Sequence, residues 1–311
     1  MNTENQLPPQ HLRRELFAHA EDLAMLPSVA NEALAMAQDS ECRADEFAQV
    51  VERDPNLVTD LLTLANSAVF SCGRSVATVQ QAVVRLGLRQ CRNLILNTCI
   101  SSAMKNLPLQ QAWVRELVWE HSYRTATACT HLNRQLRLGF QGEEFTAGLL
   151  HDFGRLLLAI VAPDTFAEAD PLEFEEDAEL LERERQLIGT DHTAFGAWFA
   201  DHNGLPPALA AAIRYHHGGS EPDHPDAKLI ALTIVGDDMA NHLQRVGEAA
   251  GYEPEKNPGI LALSDCVTGD LAARFIGQAS QIMEDVVCDV GMADEEEGSE
   301  GDDAQSLEAN A

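Results

Sequence analysis

His151 and Asp152 stand side by side in an apolar stretch that runs from Ala147 to Leu158. A carboxylate among leucines is costly unless it is paired or coordinated, so Asp152 asks for partners. The sequence offers several: His121 upstream, then His192, the pair His216-His217, and Asp237 downstream. Mixed imidazole and carboxylate donors suit Mn, Fe, Zn or Ni rather than an ion that prefers thiolates. Brought together by three or four helices, His121, His151, Asp152 and Asp237 would surround one ion. His192, His216 and His217 would hold a second, with Asp152 bridging. Such a centre activates water for attack on a phosphoester. The same residues admit a plainer reading. A buried His–Asp pair can staple two helices, and imidazoles at a helix end such as His216-His217 interact favourably with its dipole. Spacing alone leaves both readings open.

The elements that must position these residues are helices. Asp54-Pro55 reads as an N-cap followed by proline at the first helical position, and Leu57, Leu61, Leu62 and Ala65 then keep one stripe. Ala44 to Arg53 carries Phe47, Val50 and Val51 on one face. Ala82, Val83 and Leu86, then Leu94 and Ile95, continue the pattern, with Gly87 as the stop between them. Long helices are expected over about 110–136 and 143–160, the second carrying His151-Asp152 in its interior. Shorter ones are expected near 175–188, 192–202, 206–216, 227–243 and 268–290, with a loop over 252–258. Period-2 alternation is nearly absent, so the expected fold class is all-α.

Composition bounds the function. The 311 residues carry a formal charge of −29, and lysine is nearly absent (Lys105, Lys228, Lys256). So acidic a surface repels phosphate backbones and anionic membranes, so neither nucleic acid nor membrane is an expected partner. The seven cysteines form no Cys-x-x-Cys pair and read as small buried hydrophobes in a reducing compartment. No signal-peptide pattern and no apolar run of transmembrane length is visible, and a cytoplasmic location is expected. Two acidic segments stand out. Residues 170–184, with Glu173, Glu175, Glu176, Asp177 and Glu179, read as a solvated helix face. From about 293 the chain is acidic with Gly, Ser and Asn, cannot bury enough apolar surface to order itself, and is expected to be disordered.

The order His121, His151-Asp152, Asp237 resembles the HD superfamily of metal-dependent phosphohydrolases, and more closely its HDOD family, the HD-related output domains of bacterial signalling. Three stretches carry the likeness. The first holds Leu26-Pro27-Ser28-Val29, Arg53-Asp54-Pro55-Asn56-Leu57 and Leu64-Ala65-Asn66-Ser67-Ala68. The second holds Ala82 to Arg89 with Arg92-Asn93-Leu94. The third holds Ala147 to Arg155, His192 with Gly196, Leu205-Pro206 and Ile213-Arg214-Tyr215-His216-His217.

The resemblance implies an HD-like multi-helix domain with an N-terminal helical subdomain. The expected organisation is an extension over 1–18, the HDOD domain over 19–220, a helical extension over 221–292 and an acidic tail over 293–311. His121, His151, Asp152 and Asp237 match the four HD positions. His192, His216 and His217 match the extra ligand positions of the HD-GYP relatives, which hydrolyse cyclic di-GMP. Two departures weaken that activity: Arg155 stands where a lysine is usual, and Gly218-Gly219-Ser220-Glu221-Pro222 replaces the Gly-Tyr-Pro motif. Arg155 remains a candidate phosphate contact, and no catalytic residue is otherwise assigned. The favoured reading is therefore a non-catalytic signalling output module that works through a protein partner. The alternative is a metal-dependent phosphohydrolase acting on a nucleotide or cyclic dinucleotide. No cofactor is fixed; a divalent transition metal is the candidate, and a nucleotide-type small ligand is the other. The loop around Phe70 to Arg74 is a surface a partner could meet.

Overall fold

In a computed structural model of the chain, six helices build the N-terminal third: α1 (Gln10–His19), α2 (Ser28–Met36), α3 (Ala44–Val51), α4 (Pro55–Asn66), α5 (Val79–Leu86) and α6 (Leu88–Asn106). The rest comprises α7 (Ala112–Leu136), α8 (Glu143–Leu150), α9 (Phe153–Val161), α10 (Pro163–Ala169), α11 (Leu180–Leu187), α12 (His192–His202), α13 (Pro207–Tyr215), α14 (Ala227–Val246), α15 (Ile260–Asp265) and α16 (Leu271–Glu308). The structure describes residues 7–19, 27–37, 42–67, 70, 73–107, 109–175, 179–218 and 224–308, the side chains of 19 and 292–308 excepted. Among the described residues there is no strand, as expected of an all-α chain. Among these residues no helix is long and apolar enough to cross a membrane. Leu26, Ala68, Ser71, Cys72 and residues 219–222, singled out in the sequence, lie outside the described residues.

Local chemistry sets several boundaries. The Asp54 carboxylate accepts from the backbone N–H of Asn56 and Leu57 and opens α4 with Pro55 behind it. Asp191 accepts from Ala194 N–H and opens α12. Gly87, at φ 80, closes α5 and opens α6; a Cβ is disfavoured at that φ.

Two apolar cores result. The larger joins the N-terminal helices to α8, α9, α12 and α13 through residues such as Phe47, Leu61, Ile95, Leu150, Phe153 and Phe195. The smaller lies between α7, α14 and α16, with Cys129, Leu132, Val235, Met239, Phe275 and Ile282 buried in it. Each such side chain, fully buried, contributes about 1.5–3 kcal/mol. Helix α7 belongs to both cores and is the spine of the molecule. His131, on α7, lies 2.8 Å from Asp289 of α16 and fastens the second core at its rim.

Two expectations change. The helix expected over 143–160 is two helices, broken at the His151-Asp152 pair. Asp152, at φ −97 and ψ 7, is the first residue outside α9, and its carbonyl accepts from Arg155 N–H at 2.9 Å. The apolar pattern runs through the break because both helices bury their faces in one core, so periodicity does not show it. Residues 170–184 are not uniformly a solvated face: Asp170 and Glu184 are buried at 2% and 0% exposure. Charge counting places both outside; tertiary partners hold both inside. The backbone of α16 runs to Glu308.

Candidate metal centre

Gly148 and Gly154 let the site form. A Cβ on Gly154 would stand 1.9 Å from the backbone oxygen of His192, so α9 and α12 approach this closely only with glycine there. A Cβ on Gly148 would stand 2.7 Å from Ala126 Cα in α7. The first contact sets His192 beside Asp152; the second sets His151 beside His121.

The break after α8 then points Asp152 into a cage of imidazoles. On one side, Asp152 Oδ2 lies 3.6 Å from His121 Nε2 and 3.5 Å from His151 Nε2. On the other, Oδ1 lies 3.5 Å from His192 Nε2 and 3.4 Å from His216 Nε2. Asp237 Oδ1 closes the first side at 3.0 Å from His121 Nε2 and 3.4 Å from His151 Nε2. His217 Nε2 closes the second at 2.9 Å from His192 Nε2. Two groups of ligand atoms share Asp152: one with His121 and His151, the other with His192, His216 and His217, each group lying within 4.8 Å. All seven residues named from the sequence thus converge, and six of them are at most 5% exposed, with His217 half-buried.

The hydrogen bonds decide what the cage can hold. His151 Nδ1 donates to Gly148 O at 2.7 Å, and His216 Nδ1 donates to Ile213 O at 2.8 Å. A carbonyl only accepts, so each Nδ1 carries a proton and each Nε2 points inward, where it offers a lone pair whenever the ring is neutral. His192 Nδ1 faces both oxygens of Glu184 at 2.9 Å, and its N–H donates to Glu184 Oε2 at 2.9 Å. His121 and His151 then meet Nε2 to Nε2 at 3.2 Å, and His192 and His216 at 3.4 Å. Imidazole nitrogens this close share either a proton or a cation. Neither oxygen of Asp152 accepts a well-aligned hydrogen bond, although both are buried; Arg155 Nε pairs with Oδ1 at 2.9 Å. Ligand atoms bound at about 2.1 Å around one ion stand about 3.0–3.4 Å apart, close to the separations seen. The residues present fit divalent metal, with Asp152 common to both groups of ligand atoms.

Electrostatics agree. Burial opposes charge on Asp152, but Arg155 and His151, with His216 and His192, hold its carboxyl well below the usual range. Asp237 is likewise held down against burial, by His151 and His121. Burial also opposes charge on His151, yet Asp152 and Asp237 raise it to about 9. Burial, with Arg155 and His217 near, pushes His192 well below the ordinary imidazole value. Burial also lowers His216.

Three residues around the cage were not legible as such in the sequence. Glu184 orients His192; burial and the neighbouring Asp170 raise its carboxyl well above the usual range. Asp170 Oδ2 accepts from Arg155 Nη1 at 3.0 Å, while Arg155 Nε lies 2.9 Å from Asp152 Oδ1. Arg155, proposed as a phosphate contact, is 1% exposed and committed to these carboxylates. Phe174 stacks on His121 with ring centres 4.6 Å apart, and its carbonyl accepts from Arg245 Nη1. The signal available for Asp170 is an acidic residue between Ala169 and Pro171; Glu184 stands between Arg183 and Arg185, and nothing in the sequence marks it or Phe174.

A model of the HDOD domain matches residues 23–218. The chain belongs to the HDOD family. Its fold is shared by an HDOD domain protein with unknown function from Geobacter sulfurreducens, at 23% identity over 88% of this chain and 96% of that one, with a TM-score of 0.63. It is also shared by a protein from Marinobacter aquaeolei VT8, provisionally named a signal transduction protein, at 20% identity over 91% and 66% of the two chains and a TM-score of 0.55. An uncharacterized protein of Treponema pallidum (strain Nichols) is 25% identical over 219 residues. The match takes in 70% of this HDOD chain and 42% of that relative's length. Asp237 lies beyond the matched HDOD segment, so the helices after 218 complete the cage.

Proposed function

We propose that this HDOD protein is a signalling output module whose core is locked by a two-ion centre, acting through a protein partner rather than by turnover. The observation that supports this reading is how closely protein packs around the ligand set: six of its seven residues are at most 5% exposed. The cavity beside Arg155, lined also by Asp170, Phe174 and Arg183, has a volume of about 40 Å³ and touches none of the seven ligands. That holds a water or two. Phe174 covers the His121 face, and Asp170 occupies the guanidinium on which a phosphate would sit. The ions would be held by His121, His151, Asp152 and Asp237 on one side and by Asp152, His192, His216 and His217 on the other.

The hydrolase reading rests on one observation, the bridging carboxylate with imidazoles on both sides, which is the arrangement that two-ion water activation uses. One experiment separates them. Protein purified without a His-tag is analysed for metal and assayed for turnover of bis(p-nitrophenyl) phosphate and cyclic di-GMP, beside Asp152→Ala and the half-buried His217→Ala. Bound transition metal, lost wholly in the first variant and in part in the second, with no turnover, is the expected result. Multiple turnover that disappears with Asp152→Ala would establish the hydrolase instead. Co-purification from native lysate tests the partner: no protein retained under any growth condition counts against the output role.

A further inference from the structure

The helices that deliver the cage ligands share a second feature at their opposite ends. Helix α8 leads into His151-Asp152, and α13 leads into His216-His217. At their starts, neither has a side-chain cap hydrogen bond, and neither does α14, which follows Asp226 and carries Asp237. Between these starts and α6 lies a cavity of about 350 Å³, with Leu96, Thr146, Pro206, Pro207 and Leu209 among its walls. A second cavity, of about 220 Å³ and bordered by Leu34 of α2, adjoins it; Arg92, Leu96 and Pro206 line both. The size is that of a small-molecule site, and the place, where the N-terminal helices meet the rest, is where such sites concentrate.

Arg92 is the one basic residue lining either cavity. Its Nε is buried without a hydrogen-bond partner, and it makes no ion pair among the described residues. A guanidinium is a planar fork matched to a carboxylate, and one left unmatched between apolar walls is a receptor for such a group. Two carboxylates line the same cavity, Glu143 and Asp226. Glu143 Oε2 accepts from Gln141 N–H, with Arg89 3.7 Å from Oε1, and Asp226 stands 4.0 Å from His224. A phosphate dianion on Arg92 would face both carboxylates. A zwitterion satisfies both signs.

We propose that this cavity binds a free apolar L-amino acid. Its carboxylate lies on Arg92, its ammonium towards Glu143 and Asp226, and its side chain against Leu96, Pro206, Pro207 and Leu209. A helix of 8 or 9 residues is about 12–14 Å long, so the occupant seats the heads of the same two rigid rods whose tails hold His151 and His216. The site is an input for the module, and its occupancy does not depend on whether the cage holds metal.

The test is calorimetric titration of the full chain, untreated and after chelation, with L-leucine, L-methionine and L-phenylalanine. Leucinamide lacks the carboxylate and N-acetyl-leucine lacks the ammonium. Arg92→Gln removes the fork, and Ala208→Phe fills the cavity from another wall; circular dichroism checks that each folds. The expected result is one amino acid bound per chain. Affinity should fall about tenfold or more for both derivatives and both folded variants. The proposal is overturned if none of the three binds at about 10 mM, or if Arg92→Gln and Ala208→Phe both bind as the wild type does. Binding of inorganic phosphate or AMP with no response to amino acids overturns it too.

Discussion

At the residue scale, Asp152 has two faces. Each of its oxygens looks at a different pair of imidazoles, and Oδ1 also pairs with the Arg155 guanidinium. Its supports are the groups that a count of ligands omits. Glu184 is the clearest, because it fixes both the proton and the orientation of the His192 ring. Replacing such an outer partner costs 10–100-fold in metal affinity. Glu184→Gln should therefore weaken the ion on the His192 side by that factor and leave the His121 side intact. Cobalt titration should show stoichiometry falling from two strong sites to one. Asp170→Ala removes a carboxylate from a fully buried guanidinium. Breaking a buried pair costs about 3–5 kcal/mol, and urea unfolding should show a loss of that order.

At the element scale, the site depends on how closely helices approach. The contact of α9 with α12 is made through Gly154, where a methyl group would fall 1.9 Å from the His192 carbonyl oxygen. Backbone cannot rotate out of the way as a side chain can. Gly154→Ala should force the two helices apart, destabilise the protein by about 1–3 kcal/mol or more, and reduce bound metal because His192 moves with α12. Denaturant unfolding and elemental analysis of one preparation check both. A variant as stable and as metal-rich as the wild type would show that α12 does not need this approach. The break between α8 and α9 belongs to the same scale. As one continuous helix, the His151-Asp152 pair would spread around the barrel; as a turn, it aims both side chains at one centre.

At the scale of the whole molecule, the helices after residue 218 complete both the second core and the cage. Ala128, Cys129, Leu132 and Leu136 on α7 are buried against α14 and α16, and Asp237 comes from α14. A chain ending at 218 would expose that face of α7 and lose the carboxylate that holds His121 and His151. It should be aggregation-prone and without a cooperative thermal transition, whereas the full chain melts cooperatively; a soluble, cooperatively folding fragment would show that the second core is dispensable.

The sequence by itself determined the fold class, the N-cap at Asp54, the stop at Gly87 and the seven residues of the cage. These are carried by local rules: helical periodicity, capping chemistry, and the cost of an unpartnered carboxylate among leucines. Tertiary structure decided the rest. It broke the expected 143–160 helix at His151-Asp152, because an apolar pattern reports which face is buried and not where the axis turns. It placed Asp170 and Glu184 inside, because a charged residue is counted as solvated until a buried partner is known. It put Phe174 on His121 and buried Arg92 Nε without a hydrogen-bond partner among the described residues, because both follow from segments distant in sequence meeting in space.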